Sequence, residues 1–230
     1  MKKRIFYTEL SYLIGIIVLA FGTALMEKAD FGVSMVVAPA YLLHLKISEF
    51  WPWFSFGMAE YLFQAFLLVL TSVLMKKVKK GYFFSFVTAM IYGALLDLFI
   101  KAVSSVPTGD GYLWLQCLLF AVGITLCGFG VALLFHTYIS PEAYEVTVKE
   151  ISTKWGFKIS KVKTVYDLTS CFVSVILSFA FFGLWHFEGV YVGTFISAFL
   201  NGLLINTFSH LLESHFEFKD GLNFRRIFEE

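Results

Sequence analysis

The stretch Leu10–Ser34 reads LSYLIGIIVLAFGTALMEKADFGVS, and it decides how this chain must fold. Its first 17 residues are apolar, about enough for a short transmembrane helix. The residues that follow end this helix with charged side chains, a glycine and a serine. The stretch Leu113–Pro141 repeats the design with LWLQCLLFAVGITLCGFGVALLFHTYISP, an apolar run that ends in Ser140 and Pro141. We therefore expect two membrane-embedded units built to one plan.

Small residues recur at a constant spacing between these two stretches. At an offset of 108 positions, Gly15, Gly22, Ala24 and Leu25 match Gly123, Gly130, Ala132 and Leu133. Such self-similarity indicates an internal repeat. Glycines also allow membrane helices to approach closely. We therefore expect the four glycines to pack the first and fourth spans together.

The composition is that of a multi-pass membrane protein. Of the 230 residues, 58% are hydrophobic and 15% are charged, whereas about a quarter of a soluble domain is charged. A net charge of +1 gives no argument for a nucleic-acid partner. The HExxH, GxSxG and P-loop motifs are absent, which favours a non-enzymatic function. The histidines form no HxxxH pair, so no metal site and no cofactor are predicted.

Six apolar runs are long enough to cross a bilayer. They are Leu10–Met26, Phe56–Met75, Tyr82–Val103, Leu113–Phe135, Thr164–Leu184 and Val190–His210. Of the 18 Lys and Arg residues, all but Lys28, Lys46 and Lys101 fall on the side of the membrane that holds both termini in this arrangement. The positive-inside rule assigns that side to the cytoplasm. Both termini are therefore expected to be cytoplasmic.

The six spans divide into two groups of three. Residues 1–105 would form the first three-helix repeat, 106–210 the second, and 211–230 an amphipathic cytoplasmic tail. Because each repeat has an odd number of spans, the second enters the membrane from the opposite side, so the repeats are inverted. Chance alignment of Leu- and Phe-rich runs is the alternative. Polar positions that coincide argue against chance, since Glu60 aligns with Asp167, and Asp97 with Asn206.

A short segment that cannot cross the bilayer follows the first span of each repeat. Phe31–Leu45 is apolar, whereas Tyr138–Ser152 carries Glu142 and Glu145 and is expected nearer the surface. Runs of this length are typical of re-entrant segments, whose broken backbone must be buried in protein or line a cavity. The residues expected to break the helices and gate a site are Gly32, Ser34, Pro39, Ser140 and Pro141.

Polar residues within the spans are candidates for binding a substrate or an ion. They are Glu60, Asp97, Asp167 and Asn206. Ionisable groups inside a bilayer are costly, so they are functional candidates by default. Two carboxylates at similar depth, Glu60 and Asp97, could hold a cation, a proton or an amine-bearing substrate. The structural alternative is that each acid reaches the interface or pairs with a lysine, as Asp167 would with Lys163 at i, i+4.

The pattern GxALxxxADxGxS at residues 22–34 resembles the first-half signature of the YczE/YyaS/YitT-type family of bacterial membrane proteins. Ser140-Pro141, the stretch ISKVKTVYD at 159–167 and GVYVGT at 189–194 resemble second-half features of that family. The sequence departs from the family at Met35, where a proline is usual, and at Ala143. The resemblance implies a multi-pass protein of the bacterial plasma membrane, often described as a transporter, and it implies no substrate.

The function that these patterns favour is transport of a small solute by alternating access between two inverted repeats. The expected partners are the lipid bilayer and a small molecule, with a proton or cation as the second ligand and a second copy of the chain as a partner. The alternative is a membrane-embedded binding or accessory subunit of a multi-component importer or secretion system. An ATPase partner would then be expected.

Overall fold

The computed structural model describes residues 3–109, 111–157, 159–184, 189, 191–222 and 225. Within these residues the chain is almost entirely helical. In chain order, the elements are β1 (Arg4–Tyr7), α1 (Thr8–Ala29), α2 (Ala38–Ser48), α3 (Phe56–Met75), α4 (Lys80–Val103), α5 (Leu113–Phe135), α6 (Ala143–Trp155), α7 (Ile159–Phe182), α8 (Val192–His215) and β2 (Phe216–Lys219).

Six of these helices, α1, α3, α4, α5, α7 and α8, are long and apolar enough to cross a membrane. The predicted all-α membrane fold with six spans is therefore confirmed. The second and fourth predicted spans have the bounds of α3 and α5. Val190, the expected first residue of the last span, lies outside the described residues. α8 continues to His215, so it takes up the first five residues of the expected tail.

Helix lengths follow the same order twice: long, short, long, long. α2 has 11 residues and α6 has 13, both too few to cross a bilayer. α1 ends at Asp30, which takes the left-handed conformation with φ 57°. Pro39 lies in the first turn of α2, where its fixed φ suits the start of a helix. The chain thus breaks between α1 and α2, and again between α5 and α6.

Glycines bring α1 and α5 into close contact at the centre of the molecule. A Cβ atom on Gly22 would lie 2.8 Å from the carbonyl oxygen of Gly123, and one on Gly15 would lie 3.1 Å from that of Gly130. Carbon atoms normally pack at about 3.5–4.0 Å, so a larger residue would force the helices apart. Because residue 15 meets residue 130 while 22 meets 123, the two helices run antiparallel.

The remaining helices surround this central pair. α4 packs on α1 and α3, and α8 packs on α5. α2 lies between α3 and α7, while α6 contacts α3, α4 and α7. The expectation that the second short segment lies near the surface is wrong for its first half, where five of the six residues from Ala143 to Val148 are buried, whereas the end of its helix is exposed. The buried residues of α6 are Ala143, Tyr144, Val146, Thr147, Val148 and Ser152.

The two ends of the chain are tied together. β1 and β2 form a parallel two-stranded sheet that pairs Arg4 with Phe216 and Tyr7 with Lys219. The Glu9 carboxylate accepts hydrogen bonds from the backbone N–H groups of Gly221 and Leu222 at 2.9–3.1 Å. Within residues 216–222 the chain after α8 is a strand and a bend docked against β1 and Glu9, and the amphipathic character expected of residues 211–230 stays a prediction.

Candidate functional site

A polar cavity of about 40 Å³ lies beside the central helix pair. It is lined by Leu19, Thr23, Ser34, Val36, Val37, Tyr92, Cys127, Val131, Glu142, Tyr144, Glu145, Lys163, Asn201 and Ile205. These residues come from α1, α4, α5, α6, α7, α8 and the break before α2. A volume of this size holds a few water-sized groups, since one water needs roughly 10–15 Å³ on this measure.

Both short helices begin at this cavity. Val37, the residue before the first turn of α2, lines it, and so does Glu142, the residue before the first turn of α6. Backbone N–H groups at a helix N-terminus carry a partial positive charge of about half an elementary charge, so the two helices offset only part of the charge that ionised Glu142 and Glu145 would bring to the cavity. The two breaks in the chain therefore both reach this cavity.

Hydrogen bonds link two buried carboxylates next to the cavity. Tyr144 donates its hydroxyl to Glu60 Oε2 at 2.8 Å. Gln64 Nε2 lies 3.4 Å from Glu60 Oε2 and 3.3 Å from Glu142 Oε2. The backbone N–H of Ala143 donates to Gln64 Oε1 at 3.0 Å and so fixes the orientation of this amide. The network holds both acids while leaving part of each carboxylate unused.

The unused oxygens are Oε1 of Glu60 and Oε1 of Glu142. Neither has a hydrogen-bond partner among the described residues, although the two side chains are 0% and 4% exposed. A buried polar atom without a partner costs free energy, so such atoms are usually satisfied by a proton, water or ligand. Glu142 lines the cavity, so its free oxygen is the group best placed to meet a ligand there.

Acidic side chains outnumber basic ones around the cavity. Glu142, Glu145 and Lys163 line it, while Asp167 pairs with Lys163 at 3.0 Å. Glu142 lies outside the six spans, and burial raises its pKa well above the ordinary value, with Glu145 and Glu60 acting in the same direction. The arrangement favours a bound cation or a carboxyl group that keeps its proton.

Each break is held by a helix from the other half of the chain. The backbone N–H of Gly193 in α8 donates to the Phe31 carbonyl at 2.9 Å. In α4, Ser85 donates to the Pro141 carbonyl at 2.7 Å. Thr88 donates to the Ser140 carbonyl at 2.9 Å. The first half of α4 therefore holds the break before α6, and the first half of α8 holds the break before α2.

The predicted gating residues lie at these breaks, with different surroundings. Gly32 has φ 97° and lies so close to Thr194 of α8 that a Cβ atom would clash with its hydroxyl. Ser34 lines the polar cavity, 3.5 Å from Asn201 Nδ2. Ser140 and Pro141 are held by α4, as described above. Pro39 lies in the wall of a separate apolar cleft.

Only part of the predicted acidic site is brought together. Glu60 belongs to the buried network, and Asp167 reaches the cavity only through its ion pair with Lys163. Asn206 lies on an exposed face of α8, whereas Asn201 of the same helix lines the cavity. Asp97 is bonded to the start of α3, one turn away from Glu60.

We expect Asp97 to act on stability and to have little effect on ligand binding. Its carboxylate accepts from Ser55 Oγ at 2.5 Å and from the Gly57 N–H at 2.8 Å, so it caps the N-terminus of α3. Replacing a capping side chain by alanine costs about 0.5–2 kcal/mol. Asp97→Ala should therefore lower the thermal unfolding temperature in detergent, and Asp97→Asn should lower it less. An Asp97→Ala protein as stable as the wild type would contradict this role.

Several residues of the cavity are not among those that the sequence predicts for a site, chiefly Glu142, Glu145, Tyr92, Tyr144 and Asn201. The two glutamates were assigned to a surface segment because α6 is polar. One signal pointed to burial: α6 follows its break as the apolar α2 does, so both short helices were candidates for the same environment. No comparable signal in the sequence singles out the two tyrosines.

Together, the fold and the cavity define a multi-pass α-helical membrane protein in which two interrupted helices meet at a buried acidic site. The chain belongs to DUF6198, a family of unknown function that matches residues 6–210. It is similar to the uncharacterized protein YyaS of Bacillus subtilis (strain 168), with 26% identity over 206 residues that cover 89% of this chain and 94% of that protein. The expected YyaS-type resemblance is confirmed. No solved structure matches the chain.

Proposed function

We propose that this protein transports a small, positively charged solute across the plasma membrane by alternating access between two inverted repeats. The observation that carries the proposal is Glu142, which lines the cavity where both interrupted helices begin and whose Oε1 has no hydrogen-bond partner among the described residues. Discontinuous helices that meet near the middle of the bilayer are typical of substrate sites in secondary transporters. The family assignment is compatible with this role and names no activity.

The contacts of α1 and α5 support the inverted arrangement. Gly15 and Gly123 correspond under the repeat, as do Gly22 and Gly130. Gly15 meets Gly130 while Gly22 meets Gly123, which is the reciprocal pattern of an interface across a two-fold axis. The other helix contacts show the same correspondence between the repeats. α1 packs on α4 as α5 packs on α8, and α2 packs on α7 as α6 packs on α3.

The two breaks supply the elements that would move. In this proposal, separation of the Phe31 carbonyl from Gly193 opens the cavity toward one side of the membrane. Separation of Ser140 and Pro141 from Thr88 and Ser85 opens it toward the other. The first gate is closed by one hydrogen bond and the second by two, and each hydrogen bond contributes a net stabilisation of only about 0.5–1.5 kcal/mol. Such gates can open alternately while the glycine-packed centre stays closed.

The charge balance indicates the kind of solute. Four acids, Glu60, Glu142, Glu145 and Asp167, face one lysine, Lys163, in and around the cavity. A protonated amine or a monovalent cation would pair with the free Glu142 oxygen and lower the cost of its burial. The cavity has a volume of only about 40 Å³, so a larger solute requires one of the gates to open.

The test is charge movement by the purified protein in liposomes on a solid-supported membrane. Jumps in the concentration of small amines, amino acids and monovalent cations should produce a current with at least one cationic compound. Glu142→Gln should lose this response, because the amide cannot supply a negative charge. Glu217→Gln is the matched control. Glu217 is an exposed acid of β2 that pairs with Lys219 and does not line the cavity.

Two outcomes would contradict the proposal. A cationic response that survives Glu142→Gln would remove this residue from the site. Absence of any response from the wild-type protein, together with copurification of an ATPase, would favour the accessory-subunit alternative.

A further inference from the structure

A second cavity, of about 650 Å³, opens on the outside of the molecule between α3 and α7. We call it the lateral cleft. Its walls are formed by α3 from Phe63 to Leu74 and by α7 from Lys161 to Val173, and α6 contributes Thr147 to its floor. None of its lining residues lines the polar cavity. The volume falls in the range of roughly 300–1,000 Å³ that is typical of small-molecule sites.

The lateral cleft faces the hydrocarbon of the bilayer. Both of its walls belong to helices that are long and apolar enough to span a membrane. Phe66, Leu70 and Val165, which line it, are 58%, 50% and 63% exposed. Inside a membrane, a concave apolar surface of this kind is in contact with acyl chains or with another apolar surface.

One end of the lateral cleft is basic. Lys161 is exposed and lines the cleft where α7 begins. Lys154 reaches the same end, because its Nζ donates to the Leu74 carbonyl at 2.6 Å. Lys76 and Lys77 follow directly after α3 ends at Met75. The cleft therefore combines an apolar groove with positive charge at the level of the membrane surface.

We propose that the lateral cleft binds an anionic phospholipid of the adjacent leaflet, with acyl chain along α3 and α7 and headgroup phosphate at Lys161. Charge complementarity distinguishes between lipids. A headgroup with net negative charge is attracted to the basic end of the lateral cleft, whereas a zwitterionic headgroup is attracted only weakly. The positive-inside rule assigns the leaflet to the cytoplasmic side. The proposal is independent of solute transport, because it concerns different residues.

The experiment measures lipid association by electron paramagnetic resonance. The protein is reconstituted in phosphatidylcholine vesicles that contain either phosphatidylglycerol or phosphatidylcholine with a nitroxide on one acyl chain. The wild-type protein should immobilise a larger fraction of the labelled phosphatidylglycerol. Lys161→Gln should reduce this preference roughly five-fold, the effect expected for one lysine near the surface. Lys149→Gln, an exposed lysine of α6 outside the cleft, should leave the preference unchanged.

A second pair of variants tests the groove itself. Leu70→Trp fills the lateral cleft and should lower the immobilised fraction of phosphatidylglycerol. Val69→Trp places the same bulk on the neighbouring position, which is 63% exposed and does not line the cleft, and should have no effect. Equal immobilisation of the two lipids by the wild type, or equal effects within either pair of variants, would overturn the proposal. So would efficient disulfide crosslinking of Leu70→Cys between two copies, because a second chain would then cover the cleft.

Discussion

Gly22→Leu and Gly123→Leu are each expected to abolish folded protein. A Cβ atom at either position would lie 2.8 Å from the carbonyl oxygen of the other residue, so the clash is with backbone that no side-chain rotation can relieve. Overpacking a core typically costs 1–3 kcal/mol. Here we expect a loss of more than about 3 kcal/mol, because α1 and α5 must separate along their whole contact. The measurement is the yield of monodisperse protein by size-exclusion chromatography in detergent.

Gly202→Leu is the matched control for these variants. Gly202 lies in α8, and a Cβ atom there would have no atom within 4 Å. The control should therefore give a wild-type yield, even though it makes the same change in a membrane helix. Normal yields for Gly22→Leu and Gly123→Leu would contradict the close packing of α1 and α5. A loss of yield for only one of them would contradict the reciprocity of the interface.

The spans could be predicted because hydropathy alone decides them. Phe56–Met75 and Leu113–Phe135 are predominantly apolar along their whole length, and prediction and structure share the same ends. The strand pair could not be predicted in this way. Arg4–Tyr7 and Phe216–Lys219 become strands only because each pairs with the other across more than 200 residues, and neither segment carries a signal of its partner.

The acidic site was predictable only in part, for a related reason. Glu60 stands out as a charge within an apolar run, which is a reliable signal because such charges are costly. Asp97 gives the same signal, but its carboxylate accepts hydrogen bonds from Ser55 and Gly57, which the sequence alone does not reveal. Glu142 gives the opposite signal, since a polar 13-residue helix is typical of a surface. Burial of α6 between α3, α4 and α7 follows from tertiary packing, which local polarity does not encode.

Glu142→Gln is expected to flatten the dependence of stability on pH. The pKa of Glu142 is raised in the folded protein, so folding favours its protonated form. The contribution of Glu142 to the free energy of unfolding is therefore fully present below pH 4.5, the ordinary pKa of a glutamate. It is lost as the pH rises toward the pKa that Glu142 has in the folded protein. The loss approaches at most about 1.4 kcal/mol per pH unit for one proton. The wild-type unfolding temperature in detergent should therefore fall as the pH rises above 4.5.

The neutral glutamine cannot titrate, so the variant should lose this part of the slope while slopes from neighbouring groups remain. One such neighbour outside the membrane-spanning helices is Glu145 on α6, whose pKa burial also raises. Glu217→Gln should keep the wild-type slope, because that acid is exposed and lies outside the site. Identical slopes for Glu142→Gln and the wild type would mean that Glu142 is already charged in the folded protein. A permanent cation rather than a proton would then have to neutralise it, and the unfolding temperature should rise with the concentration of that cation.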